Sequence, residues 1–133
     1  MNDQPGEWDA LDRMQRLQDA VLAHDRDSID ACVSDQMIWV MPLPDNTRGK
    51  QEWIHASCSI TWDWFDIRVS REIDLGNTRI VEAWISQQRQ PTTEEVAKGT
   101  QAPIAAEGIV VDAWTLEDGD WRLISRHPQR AQE

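Results

Sequence analysis

The chain has only 2 cysteines, Cys32 and Cys58, and they form no CxxC pair. That excludes a disulfide framework and leaves two reduced, buried thiols as the expectation. Its 3 histidines stand at positions 24, 55 and 127, with no HxH or HxxxH spacing, so no metal site is expected. GxGxxG, P-loop and GxSxG patterns are all missing, so neither a phosphate cradle nor a serine elbow is supported, and no cofactor is expected. Basic residues number 13 against 24 acidic ones, a net charge of −11, and do not cluster. Such a surface repels phosphate backbones and anionic lipid, which argues against nucleic acid and membrane surfaces as partners. Apolar runs are only a few residues long, far short of a spanning helix. The opening "MNDQPGEWD" lacks the basic-then-apolar pattern of a secretory signal, so a cytoplasmic location is the expectation.

What is present is enough apolar material for a core. Hydrophobic residues make up 40% of 133, with 8 tryptophans, which suits a single domain over 1–133 with its core at about 8–128. Trp8, Leu11, Met14, Leu17, Val21 and Leu22 recur at helical spacing and predict a helix over 6–23. His24, at the end of that helix, suits its dipole. A short helix over 28–33 follows, with Ser28 as N-cap, then a strand of about five residues in "QMIWVMPLP", stopped by Pro42 and Pro44. "DNTRG" is a turn and "KQEWIHASCSIT" a third helix.

From residue 66 the period changes to two. "FDIRVSREID", "TRIVEAWISQQRQ", "GIVVDAWTL" and "DWRLISRH" predict four long antiparallel strands. Residues 91–107 read as a long polar excursion, either a functional lid or a disordered segment. Asp118-Gly119 marks a tight hairpin. A two-residue loop there would pair 117 with 120, 114 with 123 and 112 with 125. One face would then carry Val110, Asp112, Trp114, Trp121, Leu123, Ser125 and His127. Glu82 and Trp84 of the preceding strand are expected on that same face, and Val81, Ala83 and Ile85 on the other. The result is an α+β architecture, with three N-terminal helices packed on a curved, mostly antiparallel sheet.

The order of elements, with "AHDRDSIDACVSDQMIWVMP", "RGKQEWI" and "VVDAWTLEDGDWRLISRH", resembles the NTF2-like superfamily, in particular its SnoaL-like and ketosteroid-isomerase-like branches, over about residues 8–128. The resemblance implies a cone with a cavity at its open end. Carried over, the isomerase's general-base position falls at Met41, its donor tyrosine at Leu17, and its acid donor in the next-to-last strand at Asp112. The sequence also resembles the small subunits of aromatic-ring dioxygenases through "WVMPLP" and "WRLISR", and these are usually structural subunits.

A face with large aromatics and a few polar groups, here Glu82, Asp112, Ser125 and His127, has the composition of a ligand pocket. Asp112 is the expected acid–base or hydrogen-bonding group, flanked by Val110 and Trp114 where desolvation disfavours its charged form. His55 and Glu82 are its expected catalytic partners, and Trp39, Trp84, Trp114, Met41 and His127 the expected ligand contacts. The leading functional expectation is a cofactor-free isomerase, cyclase or dehydratase acting on a small hydrophobic molecule. A non-catalytic ligand-binding module and a structural subunit are the alternatives. A homodimer is expected through the face bearing Ile109, Val111, Ala113, Ile124, Val81 and Ile85, which no helix remains to cover.

Overall fold

The computed structural model describes residues 7–41 and 47–129. Pro42, Pro44 and the first part of the "DNTRG" turn lie outside the described residues. Helix α1 (Ala10–Leu22) starts where the Asp9 carboxylate accepts the Asp12 N–H at 3.0 Å. That cap sets its start at residue 10, later than the spacing alone predicts. Met14, Leu17 and Val21 are buried on one stripe of α1, while Leu11 and Leu22 are left exposed. His24 takes a positive φ of 54° at the turn, and its Nε2 sits 2.7 Å from the Ile60 carbonyl. Helix α2 (Arg26–Cys32) is capped by Asp25, not by Ser28. Ser28 instead gives Asp25 its backbone N–H at 3.2 Å and its hydroxyl at 2.7 Å.

Strand β1 (Val33–Val40) begins earlier than expected, directly after α2, and a short β2 (Thr47–Gly49) pairs antiparallel with it. Helix α3 (Lys50–Cys58) follows. Lys50 at its start is buried, and its Nζ reaches Asp30 Oδ1 at 3.0 Å and Asp35 Oδ1 at 2.8 Å. One cation thus ties α2, β1 and α3 together. The four expected long strands are present: β3 (Trp62–Asp74), β4 (Thr78–Arg89), β5 (Ile104–Glu117) and β6 (Asp120–Pro128). The sheet order is β2-β1-β6-β5-β4-β3, antiparallel except where β1 runs parallel to β6. The helices cover one face, where Met14, Leu17, Ile29, Val33, Val81, Ala83, Trp114 and Leu123 form the core.

The β5–β6 hairpin turns at Asp118 and Gly119, with φ of 52° and 80°, as the Asp-Gly pair demands. The expected register holds from Glu117↔Asp120 to Trp114↔Leu123, then slips by one at Ile124. Beyond this bulge Ala113 pairs with Ser125, Asp112 with Arg126 and Val111 with His127. A bulge reverses every later side chain on its strand, so Arg126 turns inward while Ser125 and His127 turn outward.

The polar stretch after β4 is structured. It carries a short helix α4 (Thr93–Ala97), and residues from 104 onward join β5. The Thr92 hydroxyl accepts the Glu95 N–H at 3.2 Å, and Glu95 Oε1 accepts the Thr92 N–H at 2.9 Å. Arg89 clamps the same carboxylate with bonds of 2.6 and 3.0 Å. The Arg89 hydrogen bond, followed by that from Thr92, holds the Glu95 carboxyl down to about 2. A carboxyl lowered in the folded state stabilises above its ordinary value of 4.5, and that contribution is lost as pH falls through about 2. Carboxyl NMR of the intact protein should therefore show Glu95 titrating near the bottom of that window, and Arg89→Gln should return it toward the ordinary range. A native midpoint near the ordinary value would show that the clamp does not hold in solution.

Candidate functional site

A cavity of about 320 Å³ opens between α1, α3 and one end of the sheet. Trp39 from β1, Trp53 from α3, and Trp62 and Phe65 from β3 supply its aromatic walls. Ile85, Gly108 and Val110 form the sheet side, and Gln18 and Val21 come from α1. Trp62 is fixed by its indole N–H, donated to the Ser57 carbonyl at 3.0 Å, and its ring lies 5.0 Å from that of Phe65. Trp53 is buried at 5% exposure, with the Arg126 guanidinium carbon 5.6 Å from its ring centre.

Arg126 is the charged side chain of the inner wall, beside the polar Gln18 and Ser57. Its Nε donates to Asp112 Oδ1 at 2.9 Å and its Nη2 to Oδ2 at 2.7 Å, a bidentate fork. Its Nη1 donates to Gln18 Oε1 at 2.8 Å. The Asp112 side chain is 0% exposed and that of Arg126 6%. The isolated, poorly hydrated carboxyl expected from "VVDAW" is therefore a paired one. Asp112 sits behind Arg126, and it is Arg126 that lines the cavity. Sequence reading missed Arg126 because an unbroken alternation puts Ser125 opposite Asp112. The only trace of the bulge is the adjacent apolar pair Leu123 and Ile124 in "WRLISRH", where alternation fails.

The other expected site residues scatter. Glu82 pairs with Val111 and Trp84 with Ile109, which puts both on the face opposite Asp112, whose neighbour on β4 is Val81. The two strands meet one residue out of the phase assumed from sequence. Glu82 there accepts the Ser70 hydroxyl at 3.0 Å and lies 3.5 Å from Arg71. Trp84 is 44% exposed. His127, opposite Val111, is also outward. His55 is exposed on α3. Met41 lies just past β1 and does not line the cavity.

Of the expected ligand contacts, Trp39 alone lines this cavity. Trp114 is buried at the opposite end of the sheet, 6.1 Å from Trp8, which in turn lies 5.0 Å from Trp121. It borders a second hollow of about 540 Å³ beside α1 and α2. There burial pushes the Cys32 thiol up. Among the described residues, no group of three or more His, Cys, Asp or Glu side chains could hold a metal ion, and no helix is long and apolar enough to cross a membrane.

No protein-family model matches the sequence, nor does any curated protein. Solved structures do match. The chain is similar to an NTF2-like protein of unknown function in nutrient uptake from Rhodospirillum rubrum, at 15% identity and a TM-score of 0.77, covering 94% of this chain and 100% of that one. It is similar to a ketosteroid isomerase-like protein from Erwinia carotovora atroseptica, at 12% identity and a TM-score of 0.70, covering 92% and 94%. It is also similar to the association domain of C. elegans CaMKII, at 13% identity and a TM-score of 0.63, covering 90% and 92%. The fold is NTF2-like: helices against an open, curved, mostly antiparallel sheet, a scaffold that elsewhere carries different functions.

Proposed function

We propose that the cavity binds a small apolar molecule carrying one oxygen acceptor, and holds it without moving a proton on it. The observation that carries this reading is which ionisable residues border the cavity: Glu107 is exposed and accepts the Ser86 hydroxyl at 3.4 Å on the outward face of the sheet, which leaves Arg126 on the inner wall. An arginine guanidinium has five N–H donors and no acceptor, so Arg126 can donate hydrogen bonds to a ligand but is a poor general acid or base. Asp112 is locked behind it by two short bonds. His55, Glu82 and His127 lie elsewhere. The aromatic walls and the volume, at the lower end of the usual range for ligand pockets, suit a small flat molecule. The isomerase-type alternative, with Asp112 as acid–base group, has the ketosteroid isomerase-like neighbour in its favour. It requires the Arg126 pair to open.

Titrating the protein with 2-acetylnaphthalene should give saturable quenching of tryptophan fluorescence. Ala56→Phe, which narrows the cavity from α3, should weaken that binding at least tenfold while leaving unfolding unchanged within about 1 kcal/mol. Equal binding by the variant would place the ligand elsewhere. Association with a second copy belongs to the same proposal, since the outward sheet face carries Trp84, Ile109, Val111 and Ile124 and no helix of the described residues covers it.

A further inference from the structure

The polar handle in the cavity is neutralised before any ligand arrives. Asp112 takes the Nε–Nη2 edge of Arg126 with both oxygens, so the pair carries no net charge. Arginine has five N–H donors and no acceptor. Three are given to Asp112 and Gln18, and two are left without a partner among the described residues. Because arginine only donates, Gln18 must turn its carbonyl oxygen to Nη1 at 2.8 Å. Its amide nitrogen then has no partner among the described residues and is a neutral donor on the same wall. A ligand meets hydrogen-bond donors and no uncompensated positive charge.

This decides between ligand chemistries. A carboxylate would bring an extra negative charge into an aromatic-walled cavity, beside Asp112 and within a chain of net charge −11. A neutral oxygen accepts the same N–H groups without that penalty. Resting on the binding reading above, we propose that Asp112 sets the charge selectivity of the cavity. By neutralising Arg126 it makes the cavity select apolar molecules with a neutral oxygen acceptor, such as a ketone, amide or alcohol, and reject carboxylates of the same shape. Asp112 acts through Arg126 and touches no ligand, so it is a positioning residue.

The test compares three probes of one shape on the intact protein near pH 7: 2-acetylnaphthalene, 2-naphthoate and naphthalene. The ketone should bind at least tenfold more tightly than the carboxylate, with the hydrocarbon between them. Naphthoate binding as tightly as the ketone, or more so, would overturn the selectivity and leave the binding reading standing. No saturable binding of any of the three would overturn both. Asp112→Asn leaves the arginine uncompensated and should shift the ketone-to-carboxylate ratio at least tenfold toward naphthoate, whereas an unchanged ratio would overturn the role of Asp112. Should that variant not fold, Asp112→Leu/Arg126→Met serves instead, and should abolish the ketone's advantage over naphthalene. The infrared carbonyl stretch of the bound ketone should move to lower wavenumber in the native protein and not in the double variant. An unshifted native band would overturn the donor role of the Arg126 wall.

Discussion

Arg126→Met alone should destabilise the protein by about 3–5 kcal/mol, and Asp112→Leu alone by a similar amount, because each strands the other charge in the interior. The double variant should recover most of that loss. Replacing a buried ion pair by apolar side chains of similar volume is often neutral, or stabilising by about 1–4 kcal/mol, since desolvation of the two ions offsets much of their attraction. Gln18 would keep its carbonyl oxygen without a donor in the double variant. That costs about 1–3 kcal/mol if no water reaches it, and less here because Gln18 lines the cavity. Urea unfolding of the four proteins measures the cycle, with the midpoint reporting stability and an unchanged slope showing that the native state stays compact. Single variants whose costs simply add would mean that the pair is not coupled, and would remove the basis for the neutralised handle. The cycle separates stability from ligand selection, because the double variant is expected to fold well and to select poorly.

The layer order, the four long strands and the hairpin at Asp118-Gly119 were legible in the sequence because each rests on a local rule. Met14, Leu17 and Val21 repeat at the helical period, and a left-handed pair such as Asp-Gly fits the turn that antiparallel strands require. The face assignments failed for a different reason. Which side of β4 lies under Asp112 depends on pairing across an excursion of more than a dozen residues, and nothing local sets that phase. Val81 and Ile85 were expected outside and are buried at 0% and 7%, while Trp84, expected inside, is outside. The bulge at Ile124 then reversed the end of β6. Asp112 was correctly picked out as a buried acid, yet its role changed once Arg126 rather than Ser125 faced it. A candidate site is therefore much less readable than its fold, since a shift of one residue exchanges every side chain it contains.

The same correction sharpens the expectation for self-association. The outward face no longer includes Val81 and Ile85, but it gains Trp84 at 44% exposure and Ile38 at 47%, alongside Ile109, Val111 and Ile124. Such a continuous apolar surface is unusual on a soluble monomer. At about 25 cal/mol per Å², covering on the order of 400 Å² on each chain contributes about 20 kcal/mol, against association costs of about 4–15 kcal/mol. A dimer through this face is therefore expected at micromolar concentration, measured as twice the chain mass by light scattering. Val111→Arg or Ile124→Arg should each give the monomer mass, because the symmetry of the pair places the introduced charge twice in the contact. Salt gives an independent check. Two chains of net charge −11 repel at long range, and screening shortens that repulsion from about 30 Å at 0.01 M to about 3 Å at 1 M. Raising the salt should therefore tighten the native dimer. Arginine variants that keep the dimeric mass, or a native mass equal to one chain, would show that this face stays open to water.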